Sequence, residues 1–97
     1  MTPVTRIDIV VSAHELDQVT EALEGLGIEG YTIIRNVSGK GSRGVRNDDE
    51  LSDVFRNVCI TVACEPARAT QVVEMVRPFL KRYGGMCLLS DAKWVMH

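Results

Sequence analysis

Runs of β-branched residues alternate along this chain with amphipathic helical stripes, and glycines close each helical stripe. A chain that reads strand, helix, strand and then strand, helix, strand has to stack its helices on a sheet. Arg6-Ile7-Asp8-Ile9-Val10-Val11 reads as the first strand from its β-branched content. Ser12 then opens a helix, and Glu15 stands at capping-box spacing, each side chain meeting an orphan amide of the first turn. Leu16, Val19, Leu23 and Leu26 recur at steps of three and four and form one buried stripe. Gly25 and Gly27 end that helix. Tyr31 to Val37 is a second strand, with Tyr31, Ile33 and Arg35 on one face and Thr32, Ile34 and Asn36 on the other.

The second half repeats the order. Ser38 to Asp53 carries no apolar periodicity and reads as a long loop. Strand character resumes from Val54 to Cys64, with Val58, Ile60, Val62 and Cys64 on one face. Pro66 suits the first turn of a second helix, whose stripe is Ala69, Val72, Val73, Val76 and Leu80. Pro78 inside that pattern predicts a kink or a new turn. Gly84-Gly85 ends the helix, Met86 to Leu89 reads as a further buried strand, and Lys93 to Met96 as a short last one. The order is the split βαβ pattern of an α+β ferredoxin-like sandwich in a single domain, residues 1–97. Its sheet has one face without helices, and apolar residues there predict oligomerisation.

Charge and cysteine usage narrow the function classes. Lys and Arg number 11 against 13 Asp and Glu, so the net charge of −2 gives no global attraction for nucleic acid. No run approaches the ~20 apolar residues of a membrane span, and Met1 to Arg6 lacks the features of a secretory leader. An odd set of three cysteines points to a reducing cytoplasm. Cys59 and Cys64 lie on opposite faces of one strand and Cys87 on another, so all three are expected in the core and no metal site is expected. His14 and His97 are expected at the surface, and no nucleophile has a base and an orienter, so the chain does not read as an enzyme.

The long loop divides its charge. Arg35, Lys40, Arg43 and Arg46 stand in a stretch without acids, and Asp48, Asp49, Glu50 and Asp53 follow in one without bases. The basic half carries the glycines: Ser38-Gly39-Lys40-Gly41-Ser42-Arg43-Gly44-Val45-Arg46. Glycines let successive amides form a nest for an anion, and arginine grips phosphate or carboxylate in two places. A solvated loop whose two halves attract one another has the same composition. It is not a P-loop, because Gly41 separates Lys40 from Ser42.

Gly30-Tyr31-Thr32-Ile33-Ile34 leading into Gly39-Lys40-Gly41-Ser42-Arg43-Gly44-Val45-Arg46 resembles the PII signalling proteins. The resemblance is greatest to a PII-like branch tied to inorganic carbon, which includes regulators of a bicarbonate transporter and a carboxysome-associated PII protein. It implies a homotrimer with adenine nucleotides in the clefts between neighbours, and a flexible T-loop, about 38–53, that docks on a target protein. By that resemblance Thr32 helps hold adenine, and Gly39, Lys40, Gly41, Ser42 and Arg43 form the phosphate side. Gly84 and Gly85 match the B-loop beneath the phosphates. Ser42, Arg43 and Arg46 would hold a small anion, with bicarbonate the candidate. PII proteins place a lysine in the B-loop where this chain has Gly85, and arginines near the carboxyl end where it has Trp94-Val95-Met96-His97. These departures favour ADP or AMP over ATP, with no cofactor required. Two other readings fit the same architecture. In an acylphosphatase-type enzyme Arg43 or Arg46 would bind phosphate and Asn47 or Asn57 would orient water. A CutA-type metal-tolerance trimer would leave the Gly-Lys-Gly-Ser-Arg run unexplained.

Overall fold

The first strand, β1 (Thr2–Ser12), begins four residues before its β-branched run and lies inside a four-stranded sheet. A computed structural model gives the protein's structure; it describes the backbone of residues 1–41, 44, 45 and 56–97, and the side chains of 1–39 and 56–97. After β1 come α1 (Leu16–Gly25), β2 (Thr32–Val37), and the two-residue strands β3 (Lys40–Gly41) and β4 (Gly44–Val45). Then follow β5 (Asn57–Cys64), α2 (Ala69–Tyr83) and β6 (Met86–Trp94). The main sheet has the order β2-β5-β1-β6 with every pairing antiparallel, which is the ferredoxin-like arrangement.

Alternation along the strands decides what the helices cover. Ile7, Ile9 and Val11 of β1 and Val58, Ile60 and Val62 of β5 are 1% exposed or less and meet Val19 and Leu23 of α1 and Val72 and Val76 of α2. Each such side chain contributes about 1.5–3 kcal/mol of burial. Arg68 secures the end of α1: its Nη2 donates to the Leu26 carbonyl, beside Gly27 at φ 85°.

Four expectations need correction. Ser12 and Glu15 form no capping box: a 3-10 turn, Ala13–Glu15, precedes α1, and Ser12 Oγ accepts from His14 N at 3.2 Å. Glu15 is buried instead, and its Oε1 has no hydrogen-bond partner among the described residues. α2 runs from Ala69 to Tyr83 with an exposed Pro78 inside it, so no new turn begins there. Met86 to Leu89 and Lys93-Trp94 belong to one strand, and that strand is largely exposed in the isolated chain. Of the cysteines, Cys64 is buried in the core and half-buried Cys87 packs against it, whereas half-buried Cys59 lies on the sheet face away from the helices.

Burial raises the Cys64 and Cys87 thiols above their ordinary value of 9.0. The folded chain therefore keeps protons that the unfolded chain releases, so this stability is full below pH 9.0 and declines as the pH rises through the folded values. Urea midpoints should fall between neutral pH and about pH 10, and less so when both cysteines are replaced by alanine. An equal fall in that double variant would remove the thiols from the explanation.

Candidate functional site

The register brings four chain segments to one end of the sheet. Val37, Asn57 and Ser12 lie in line across β2, β5 and β1, and Val10 pairs with Met86, which follows the Gly84-Gly85 turn. At this end β2 leaves toward segment 38–55 and β5 receives the chain back. Arg56 joins the two stems: its Nη1 donates to Asn36 Oδ1 at 3.1 Å, and its carbonyl accepts from Ala13 N at 2.6 Å. Asn36 has φ 60° at a register shift between Arg35 and Val37, and is the one non-glycine residue with positive φ among those described. Asparagine tolerates that conformation better than most residues. The shift turns the end of β2 out of the simple alternation read from the sequence.

Beyond the stem, Lys40 pairs with Val45 and Gly41 with Gly44, so the stretch read as structureless contains a short hairpin. Ser42, Arg43 and Arg46 lie outside the described residues, as does most of the loop predicted over 38–53. A Cβ at Gly39 would meet nothing within 4 Å, so steric crowding does not require glycine there.

Gly85 is the opposite case. It has φ 117°, and a Cβ would stand 2.2 Å from the Val10 carbonyl oxygen. Gly84, at φ 83° and ψ −175°, closes α2 by donating its N–H to the Leu80 carbonyl at 2.9 Å. At Gly85, where the resemblance places a lysine in other PII proteins, this backbone leaves no room for a side chain. Cationic groups nearby come from Lys81 and Arg82 in the last turn of α2, where Arg82 lies 5.4 Å from the Tyr83 ring centroid.

Thr32 opens β2 opposite Thr61 on the sheet face away from the helices. Thr61 Oγ1 donates to Asp8 Oδ1 at 2.7 Å. The strand order then separates the candidate residues: Thr32 and Gly39 belong to the β2 edge, Gly84 and Gly85 to the β6 edge. Three strand spacings, roughly 14 Å, divide the edges. One chain does not assemble these residues around a single ligand. Sequence reasoning missed the Asn36–Arg56 clasp and the Asp8–Thr61 bond. The polar alternation of Arg6 and Asp8 in β1 was a usable sign of the second, whereas nothing local marked the first. Among the described residues no three His, Cys, Asp or Glu side chains gather as a metal site. No helix among the described residues is long and apolar enough to cross a membrane.

A family model for the nitrogen regulatory protein P-II matches residues 4–96, and the chain belongs to that family. PII proteins are regulatory rather than enzymatic, which tells against the acylphosphatase-type reading. The chain is similar to CPII of Thiomonas intermedia K12, a nitrogen regulatory PII-like protein solved with ADP, AMP and bicarbonate. Identity is 25%, the TM-score is 0.82, and the match covers 95% of this chain and 88% of that one. A second CPII structure, bound to ADP and bicarbonate, matches at 25% identity over 95% and 88% of the two chains with a TM-score of 0.80. A PII-like signalling protein of Thermus thermophilus shares the fold at 22% identity, with a TM-score of 0.77 over 97% and 91%. No curated protein sequence is significantly similar to the chain.

Proposed function

We propose that this protein is a PII-like sensor of ADP or AMP that works as a homotrimer. Nucleotide occupies the clefts between subunits, bicarbonate binds beside it, and segment 38–53 reports occupancy to a target protein in inorganic carbon metabolism. The observation that carries the reading is the division of the candidate residues between opposite sheet edges. Thr32 and the Gly39-Lys40-Gly41 run of one copy meet Gly84 and Gly85 of another when the β2 edge of one abuts the β6 edge of the next, as in a ring of sheets. CPII, with the same fold and with ADP, AMP and bicarbonate bound, supplies the ligand class.

Ser42, Arg43 and Arg46 supply the anion side in this reading, and Gly85, unable to carry a cation, limits the charge offered to a third phosphate. ADP should therefore bind at least about tenfold more tightly than ATP, the worth of one charge-assisted hydrogen bond. Calorimetry should also show tighter ADP binding with bicarbonate present, since two ligands that order one loop are coupled reciprocally. Arg46→Ala should abolish that bicarbonate effect without changing the trimer. Equal ADP affinity with and without bicarbonate would remove the bicarbonate assignment, and tighter ATP binding would remove the preference.

A further inference from the structure

The sheet face away from the helices is ordered in rows. Met86, Val10, Cys59 and Ile34 line up across the four strands, and beside them Leu88, Asp8, Thr61 and Thr32. Ser90, Arg6 and Ala63 form the next row. Ile34 is 51% exposed at one edge, and Met86 and Leu88 are 43% and 56% exposed at the other. Between these apolar edges stands one ion pair: Arg6 Nε lies 3.3 Å from Asp8 Oδ1 and 3.2 Å from Oδ2.

The pair is lopsided. Asp8 is largely sheltered and also accepts from Thr61, whereas the Arg6 side chain is 54% exposed. Its two terminal nitrogens make no hydrogen bond among the described residues. They face water only while the face is open. Covering it would bury their N–H groups without acceptors, although Nε keeps its carboxylate, unless the covering surface brings an acceptor. On the described strands, Asp8 is the sole carboxylate of this face; Asp91 pairs with buried Thr5 on the helix side. A carboxylate has about four acceptor positions, so Asp8 can serve a second guanidinium.

We propose that Arg6 of each copy donates its terminal nitrogens to Asp8 of the next, closing a ring of alternating guanidinium and carboxylate groups inside the assembly. The ring rests on the trimer reading above and names the contact that sets its register. Each copy carries both complementary groups, and a head-to-tail contact of this kind closes into a ring when the rotation between neighbours closes, as in the trimer reading. Loss of one member strands the other, while replacing both with apolar groups of similar size does not.

Sedimentation of the full chain over a dilution series tests this. The unaltered protein should be trimeric. Arg6→Ala should raise the concentration of half-dissociation at least about 100-fold, the effect of a stranded buried charge. The double variant Arg6→Met with Asp8→Leu should return to the range of the unaltered protein. Mixing Arg6→Ala with Asp8→Ala should restore association beyond either alone, because one interface of a mixed ring regains its pair. Circular dichroism confirms that each variant is folded. A trimeric Arg6→Ala chain of unchanged affinity, or a weakened one that mixing does not rescue, would overturn the ring while leaving the trimer standing. A monomeric unaltered protein would overturn the trimer reading itself.

Discussion

Gly85→Ala should destabilise the fold by about 2–6 kcal/mol, and Gly85→Lys should unfold it rather than create a phosphate ligand. Two costs combine. The φ of 117° lies where residues with a Cβ are rarely found, at about 1–3 kcal/mol. The added Cβ would also sit 2.2 Å from the Val10 carbonyl oxygen. Val10 belongs to β1, which is paired on both sides and cannot retreat without opening the sheet. Relief of such a contact costs typically about 1–3 kcal/mol more. Against a total stability of about 5–15 kcal/mol, the urea midpoint should fall sharply. Gly39→Ala is the control, because nothing lies within 4 Å of its Cβ position. An unchanged midpoint for Gly85→Ala would show that the turn adapts, and the explanation of the missing lysine would fall with it.

Ile34→Asp should leave the subunit folded and abolish both assembly and nucleotide binding. Ile34 is half exposed in the isolated chain and belongs to the edge strand β2, so an aspartate there meets water and the monomer loses little. In a ring of sheets that edge is covered, and an unpaired carboxylate costs several kcal/mol in each interface. ADP affinity should drop more than about 100-fold because no single chain carries both edges of the cleft. Circular dichroism would remain native-like while sedimentation shifts to monomer. A trimeric Ile34→Asp chain with unaltered ADP affinity would place the interface elsewhere.

The element order was legible because periodicity depends only on neighbours in sequence. Val58, Ile60, Val62 and Cys64 alternate inward as read, and Leu16, Val19 and Leu23 form their stripe. What failed depended on partners distant in sequence. Met86 to Leu89 reads as buried because apolar runs usually are; in one chain, Leu88 is exposed beside Asp8, and periodicity does not tell a face covered by helices from one left open. Glu15 has the spacing of a cap, yet a 3-10 turn presents the His14 amide to Ser12 first. The site was half legible. Gly84 and Gly85 announce a turn in any sequence, but the reason Gly85 admits no side chain is a carbonyl seventy-five residues away. The Asn36–Arg56 clasp joins residues twenty positions apart, and no local pattern marks it.

On the reading proposed above, each cleft takes its two walls from different copies, and that would change the genetics of the protein. In a mixed population, a chain damaged on its β2 edge still lends a sound β6 edge to one neighbour, and the reverse holds for damage at Gly84. Two alleles, each inactive alone, can therefore rebuild a working cleft by intersubunit complementation when expressed together. A chain damaged on both edges does the reverse: one such copy in a ring spoils two clefts and leaves one, so it acts as a dominant negative. The same inheritance rules extend to any paralogous chain that enters the ring, whose clefts would then be hybrids with ligand preferences neither parent has.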